Sequence, residues 1–166
     1  VDNTAVVFDQ SLLDLVAGVA AQSVGFDRPD VVLTAATDGI TIASAMARHF
    51  DVPLAYAKKS RETGVSEFVE ARQRLPPGIE ITYSLPASAI DPGDDVLLVD
   101  DFVRSGSTQQ LLLELADSAG ATVSGVFTLI AVGADGLDAV RDAVAAPVVA
   151  FTTLADTGDA DVYPYS

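Results

Sequence analysis

Apolar residues in this chain follow two recurring patterns: short unbroken runs, and longer stretches in which they return every third or fourth position. The runs at 30–35, 52–57, 96–99, 123–132 and 148–152 are rich in Val, Leu and Ala and predict strands buried on both faces. Helical spacing appears between them. Leu12, Leu13, Val16, Val19 and Ala20 mark one face of a helix reaching about residue 24, and Ile42, Ala45, Met46 and His49 do the same over 40–50. A leucine-rich helix follows Thr108 and stops at Ala119-Gly120, and a short amphipathic helix occupies 136–145. Residues 5–8 form a possible short strand, and 79–85 alternate as an exposed strand would.

Strands alternating with helices predict an α/β fold, a single domain with a mainly parallel sheet flanked by helices. No repeat or linker divides the 166 residues, so the domain is 1–166 with its core at about 30–152. The polar stretch 62–78, with Arg72, Arg74 and Pro76-Pro77-Gly78, is long for a connection in a compact domain. It reads as disordered or as a working lid, a flexible loop of about 60–84. The chain ends, 1–24 and/or 153–166, are left to form a small cap.

The chain is organised around Val96-Leu97-Leu98-Val99-Asp100-Asp101-Phe102-Val103-Arg104-Ser105-Gly106-Ser107-Thr108. A buried strand ends on two aspartates, a small-residue loop follows, and Thr108 opens a helix. Free N–H groups and the positive end of a helix dipole meet there, Gly106 permits close approach, and three hydroxyls add donors; the arrangement suits a phosphate. A phosphate gains nothing from two carboxylates, but vicinal hydroxyls do, so Asp100 and Asp101 beside the loop suit a ribose 5-phosphate. The other reading of the acid pair is a cap on the loop. Neither a P-loop nor a Gly-x-Gly-x-x-Gly fingerprint is present.

Both lysines of the chain, Lys58 and Lys59, sit at a second strand end, followed by Ser60 and Arg61. Ligands bind at the carboxyl ends of parallel strands, and ammonium groups there suit a diphosphate; a basic patch relieving local acidity is the alternative. His49 is the only histidine and has no partner at a recognisable catalytic spacing, so it reads as a dipole or core-margin residue.

The central stretch resembles the phosphoribosyl pyrophosphate (PRPP) signature of the type I phosphoribosyltransferases. That pattern is four apolar residues, two acids, two variable apolar residues and a small-residue loop, from which Arg104 is the main departure. Leu33-Thr34-Ala35-Ala36-Thr37-Asp38-Gly39-Ile40 resembles the family's pyrophosphate loop, and Tyr56-Ala57-Lys58-Lys59 the basic strand end of its purine branch. Asp101-Phe102 followed by an apolar residue is closest to the xanthine, adenine and purine-repressor group. The resemblance covers roughly 30–132, and Ala36 stands where the family commonly has a glutamate.

The resemblance implies a purine phosphoribosyltransferase acting in salvage, which transfers the 5-phosphoribosyl group of PRPP to a purine base and releases pyrophosphate. It places the ribose hydroxyls on Asp100 and Asp101, with Asp101 best placed to influence the ribosyl cation. The 5-phosphate falls to Arg104, Ser105, Gly106, Ser107 and Thr108. Pyrophosphate falls to Ala36, Thr37, Asp38, Gly39, Lys58, Lys59 and Arg61, and the base to Phe102, with Phe127 and Phe151 as further aromatic candidates. Mg2+ would be bound through PRPP, with no protein ligand set, and the protein would be a homodimer. Two alternatives remain: a non-catalytic PRPP-sensing domain of the purine-repressor type, and a general α/β nucleotide- or phosphate-ester-binding protein.

Charge removes some partners. The net charge is -15; of 24 acidic residues 19 are Asp, and only two of nine basic residues are Lys. Such a surface repels nucleic acid and anionic membranes and resembles those of salt-loving organisms. There is no cysteine, hence no disulfide or thiolate site. No apolar run approaches the roughly 20 residues of a membrane span, and no basic-then-apolar order opens the chain; the expectation is a cytoplasmic protein.

Overall fold

The computed structural model describes residues 9–24, 26–75 and 77–156. The expected strand at 5–8 and most of the acidic tail lie outside the described residues. Five strands form one parallel sheet: β1 (Val31–Ala35), β2 (Leu54–Ala57), β5 (Asp95–Val103), β6 (Thr122–Val132) and β7 (Val148–Leu154), in the order β2-β1-β5-β6-β7. A separate antiparallel hairpin joins β3 (Phe68–Leu75) to β4 (Ile79–Pro86). Among the described residues four α-helices accompany them: α1 (Gln10–Val24), α2 (Ile40–Phe50), α3 (Ser107–Ser118) and α4 (Asp135–Ala143). The α/β reading, with its mainly parallel sheet and flanking helices, holds.

Alternation along the strands sends residues into two cores. Val31, Leu33, Val96, Leu98 and Val126 meet Leu111, Leu112 and Leu115 of α3 and Val140 of α4. Val32, Leu97, Val99 and Phe127 meet Ile42 and Met46 of α2 and Leu13, Val16 and Ala17 of α1. Burying each such side chain stabilises the fold by roughly 1.5–3 kcal/mol, which is why these strands read as unbroken apolar runs. The C-terminal end of α2 is satisfied by a backbone turn and a side chain. Asp51 closes α2 in the left-handed region at φ 54, and Arg28 donates to the carbonyl oxygens of Phe50 and Asp51 at 2.9 and 2.8 Å.

Two expectations need correction. The stretch 60–84, read as disordered or as a working lid, is not disordered, since most of it forms an ordered hairpin. The alternation at 79–85 matches β4, whereas charged residues hid β3, in which Glu70 accepts from Arg61 at 2.7 Å, Arg72 at 3.1 Å and Ser84 at 2.9 Å. Meanwhile Ala71, Tyr83 and Leu85 face the α3 core, and Lys58 bridges to Ser84. The second correction concerns β5, which does not stop at the acid pair. Its pairing with β6 continues to Phe102↔Ile130 and Val103↔Ala131, so Asp100 and Asp101 lie within the strand.

The three donors on Glu70, Arg61 first, hold its carboxyl well below the usual range, at about 2. A carboxyl lowered on folding stabilises fully above its ordinary value near 4.5 and loses that contribution as pH falls toward 2. The protection factors of the β3 and β4 amides, the unstructured exchange rate over the observed rate at the same pH, should therefore stay high at neutral pH and fall over that acid window. Glu70→Gln should give fast hairpin exchange at neutral pH with the five-stranded sheet still protected; unchanged protection would show that the ion pairs do not hold the hairpin.

Candidate active site

The sheet order places β2 and β5 on opposite sides of β1, so the chain reverses its direction of growth between β1 and β5. Loops leaving the carboxyl ends of two such strands diverge and open a crevice, the usual ligand site of an open parallel sheet. Residues 36–39 follow β1, residues 58–61 follow β2 and residues 104–106 follow β5. All three loops singled out in the sequence thus share one edge.

At its centre are Asp100 and Asp101, 7% and 9% exposed. The Asp101 N–H donates to Asp100 Oδ1 at 3.1 Å, and the Gln109 amide donates to Asp100 Oδ2 at 2.7 Å. Burial first, and then the negative charge of Asp101, push the Asp100 carboxyl well above the usual carboxylate range; Asp38 adds in the same direction. A site that brings hydroxyl donors or positive charge to this pair relieves that cost.

Gly39 lets the β1 loop lie directly on the acid. A β carbon there would stand 2.3 Å from Thr34 Oγ1 and 2.7 Å from Asp100 Oδ1, so no side chain fits. Thr34 Oγ1 is buried with no hydrogen-bond partner among the described residues. Thr37 and Asp38 are exposed, Ala36 is half-buried, and the Ala36–Thr37 peptide is cis.

In the second loop Lys58 Nζ lies 3.2 Å from Glu62 Oε1 and 5.0 Å from the centre of the Tyr56 ring. Lys59 Nζ lies 5.9 Å from the Tyr83 ring centre. Arg61 is turned to Glu70 and the Phe68 ring of the hairpin. These cations are answered by groups that a doubly charged ligand would outcompete, since exposed ion pairs contribute only ~0–1 kcal/mol.

The third loop turns at Gly106, φ 77, where a β carbon would meet the Gly136 carbonyl oxygen at 2.8 Å. Gly106 also caps α3 with no side-chain hydrogen bond. Ser105 and Ser107 join through their hydroxyls at 2.9 Å. Arg104 reaches Asp156 at 3.3 Å instead of folding over the loop. Phe102 is half-buried and packs toward the α1–α2 core, Phe127 lies wholly within that core, and Phe151 is 47% exposed on β7.

Four residues of this region were not singled out as ligand candidates from the sequence. Gln109 holds Asp100. Tyr83 is buried, interacts with Thr108 and feels the charge of Asp100; burial, then Asp100, raise its phenol above the ordinary value. Gly136 opens α4 against the loop, with a β carbon there falling 2.3 Å from the Arg104 carbonyl oxygen. Thr34 sits beneath Gly39. The only hints were a hydroxyl inside an apolar strand and a glycine in the first turn of a polar helix. His49 is exposed, edge-on to the Phe50 ring, at the far end of α2.

Among the described residues no group of three or more His, Asp or Glu side chains gathers as a metal site, and no helix is long and apolar enough to cross a membrane. A shallow depression of about 350 Å3 lined by Ser44, Arg48, Asp51 and Leu54 lies at the C-terminal end of α2 and holds none of the candidate residues.

Comparison with known proteins agrees with this geometry. Residues 5–149 match the family model described as the phosphoribosyl transferase domain. The xanthine phosphoribosyltransferase of Clostridium tetani is 36% identical over 60% of this chain and 54% of its own, and that of Bifidobacterium adolescentis 31% identical over 77% and 68%. The purine biosynthesis transcriptional repressor PurR of Bacillus subtilis is 33% identical over 66% of this chain and 38% of its own. The chain thus spans about half to two thirds of the length of the curated xanthine phosphoribosyltransferases it matches. Among solved structures, adenine phosphoribosyltransferase from Thermoanaerobacter pseudethanolicus shares the fold with a TM-score of 0.80 at 18% identity, covering 92% of this chain and 87% of that one. The Rhodothermus marinus enzyme gives 0.79 at 24% identity, covering 92% and 85%. With an acid pair and an uncapped helix N-terminus at the switch point, and a family match over most of its length, the chain belongs to the phosphoribosyl transferase domain family.

Proposed function

We propose that the protein is a purine phosphoribosyltransferase that takes PRPP, with its bound Mg2+, and a purine base to a nucleoside monophosphate and pyrophosphate. The observation that carries this reading is the buried Asp100–Asp101 pair beside the Gly106 turn and the start of α3. No other arrangement among the described residues joins hydroxyl acceptors to an anion cradle at one strand end. The relatives named as xanthine phosphoribosyltransferases support a purine as acceptor. On this reading it works as a cytoplasmic homodimer.

In the reaction a ring nitrogen of the base attacks C1 of the ribose as the C1–O bond to pyrophosphate breaks. The electron pair of that bond leaves with pyrophosphate, and the proton of the attacking N–H passes from the base to solvent water. Mg2+, if bound through the phosphates of PRPP, would supply positive charge against the leaving pyrophosphate. Asp100 and Asp101 accept from the ribose hydroxyls, and Asp101 stabilises the positive sugar. The loop 104–108 anchors the 5-phosphate, which leaves the sugar little freedom beyond the reaction coordinate. Lys58 and Lys59 attract the leaving group, and Thr37, Asp38 and Gly39 line its path.

Similarity to PurR supports a second reading, a PRPP-binding regulatory domain without turnover. Ala36 in the β1 loop is compatible with it. Pyrophosphate release across a panel of bases separates the two. Turnover is expected with xanthine, hypoxanthine, guanine or adenine; PRPP binding with no turnover on any base would favour the regulatory reading, and turnover confined to orotate or uracil would replace the purine.

Replacing both Asp100 and Asp101 by Asn removes two charges and keeps the shape. PRPP affinity measured by titration calorimetry should fall by at least about tenfold, the 1.4 kcal/mol of one lost charge-assisted contact. Unchanged affinity in a folded double mutant would remove the acids from the site. For Lys58→Gln with Lys59→Gln, the melting temperature should hardly move, because exposed pairs contribute ~0–1 kcal/mol, while pyrophosphate affinity drops. The opposite result, lost stability with intact pyrophosphate binding, would make the lysines structural.

A further inference from the structure

The first turn of α3 carries a side chain that neither the core nor the phosphate loop accounts for. Gln109 is 3% exposed, and its amide nitrogen donates to Asp100 Oδ2 at 2.7 Å and to the Phe102 carbonyl oxygen at 3.3 Å. A glutamine at the third position of a helix often turns back to cap it. Here no side chain caps α3, and Gln109 instead reaches across to β5.

The consequences follow from what the bond joins. Asp100 has one oxygen held by the Asp101 N–H at 3.1 Å and the other by Gln109, so the carboxylate is fixed in rotation. A distance of 2.7 Å is at the short end for an N–H donor and marks a strong contact to a charged acceptor. The amide is neutral, so it orients the carboxylate without cancelling its charge, and each oxygen keeps a lone pair for a hydroxyl. A lysine or arginine in that place would pair with Asp100 and compete with the ligand. Gln109 also belongs to the helix whose N-terminus closes the loop 104–106. Gln109 therefore ties the acid to the helix that follows this loop.

We infer that Gln109 is a positioning residue that holds Asp100 in register with the phosphate loop, so that a single sugar phosphate meets both at once. The inference rests on the PRPP reading above. It applies to ligands that span both subsites, as ribose 5-phosphate does, and not to pyrophosphate, which engages the loops after β1 and β2.

Gln109→Met keeps the length of the side chain and removes its donor. Calorimetric titration of ribose 5-phosphate and of pyrophosphate into the wild type and this variant tests the assignment. Ribose 5-phosphate affinity should fall about tenfold, with pyrophosphate affinity held within about twofold. In turnover, the KM for PRPP should rise more than kcat falls. Gln109→Glu preserves the shape but sets a second carboxylate against Asp100, and should lose ribose 5-phosphate more completely; it decides the matter if the Met variant does not fold. Equal loss of both ligands would show a merely structural role and overturn the inference, as would unchanged ribose 5-phosphate affinity. A wild type that binds neither ligand would overturn the PRPP reading and this inference together, whereas a wild type that binds both while the variants match it overturns this inference alone.

Discussion

Two adjacent carboxylates buried within a central strand are the constraint on which the rest of the site depends. A buried carboxylate is expensive to keep charged, and here a second one lies next to it. The protein meets that cost with a backbone N–H and a glutamine amide on Asp100, and with a glycine at 39 that admits the neighbouring loop. What remains is a site held ready for donors. The raised Asp100 carboxyl is the electrostatic expression of that readiness, since a group whose charge is poorly accommodated gains most when a ligand accommodates it.

The parallel sheet converts this local chemistry into a shaped crevice. Parallel strands send every carboxyl end to the same edge, and the order β2-β1-β5 makes the loops diverge where the acid pair stands. Backbone packs against backbone at its floor: Gly106 on Gly136, and Gly136 on Arg104. Positions without side chains let the loop after β5 and the start of α4 approach within contact distance, so that loop rests directly on a helix end.

Charge is used sparingly in a chain this acidic. Arg48, Arg61, Arg72, Arg104, Arg141 and Lys58 each pair with a carboxylate. Most of these pairs are exposed and individually weak, but those on Glu70 tie the β3–β4 hairpin to the loop after β2. Tyr83 extends the same connection inward, from Lys59 to Thr108 and Asp100. The hairpin is thereby part of the wall of the site.

The sequence alone determined the sheet strands, the helices and the three loops that the fold gathers at one sheet edge. The helix over 40–50 and the strands near 31, 54, 96, 123 and 148 follow from apolar runs and helical spacing, because burial on two faces or on one stripe leaves a periodic record. Asp100, Asp101 and the loop to Thr108 were legible for a similar reason: their chemistry is contiguous in the chain. Of the hairpin, β4 was legible from its alternation but β3 was not, since Glu70, Arg72 and Arg74 mask the pattern of its apolar residues. Nor were Gln109, Tyr83 and Gly136, each of which has an ordinary local context and acquires its role only from a partner on another element. Only the tertiary structure decided that β5 continues past its acids, because its length is dictated by pairing with β6, and that a glutamine nine residues downstream points back at Asp100. Local periodicity reports which face is buried; what a polar side chain touches once buried is set by how separate elements pack.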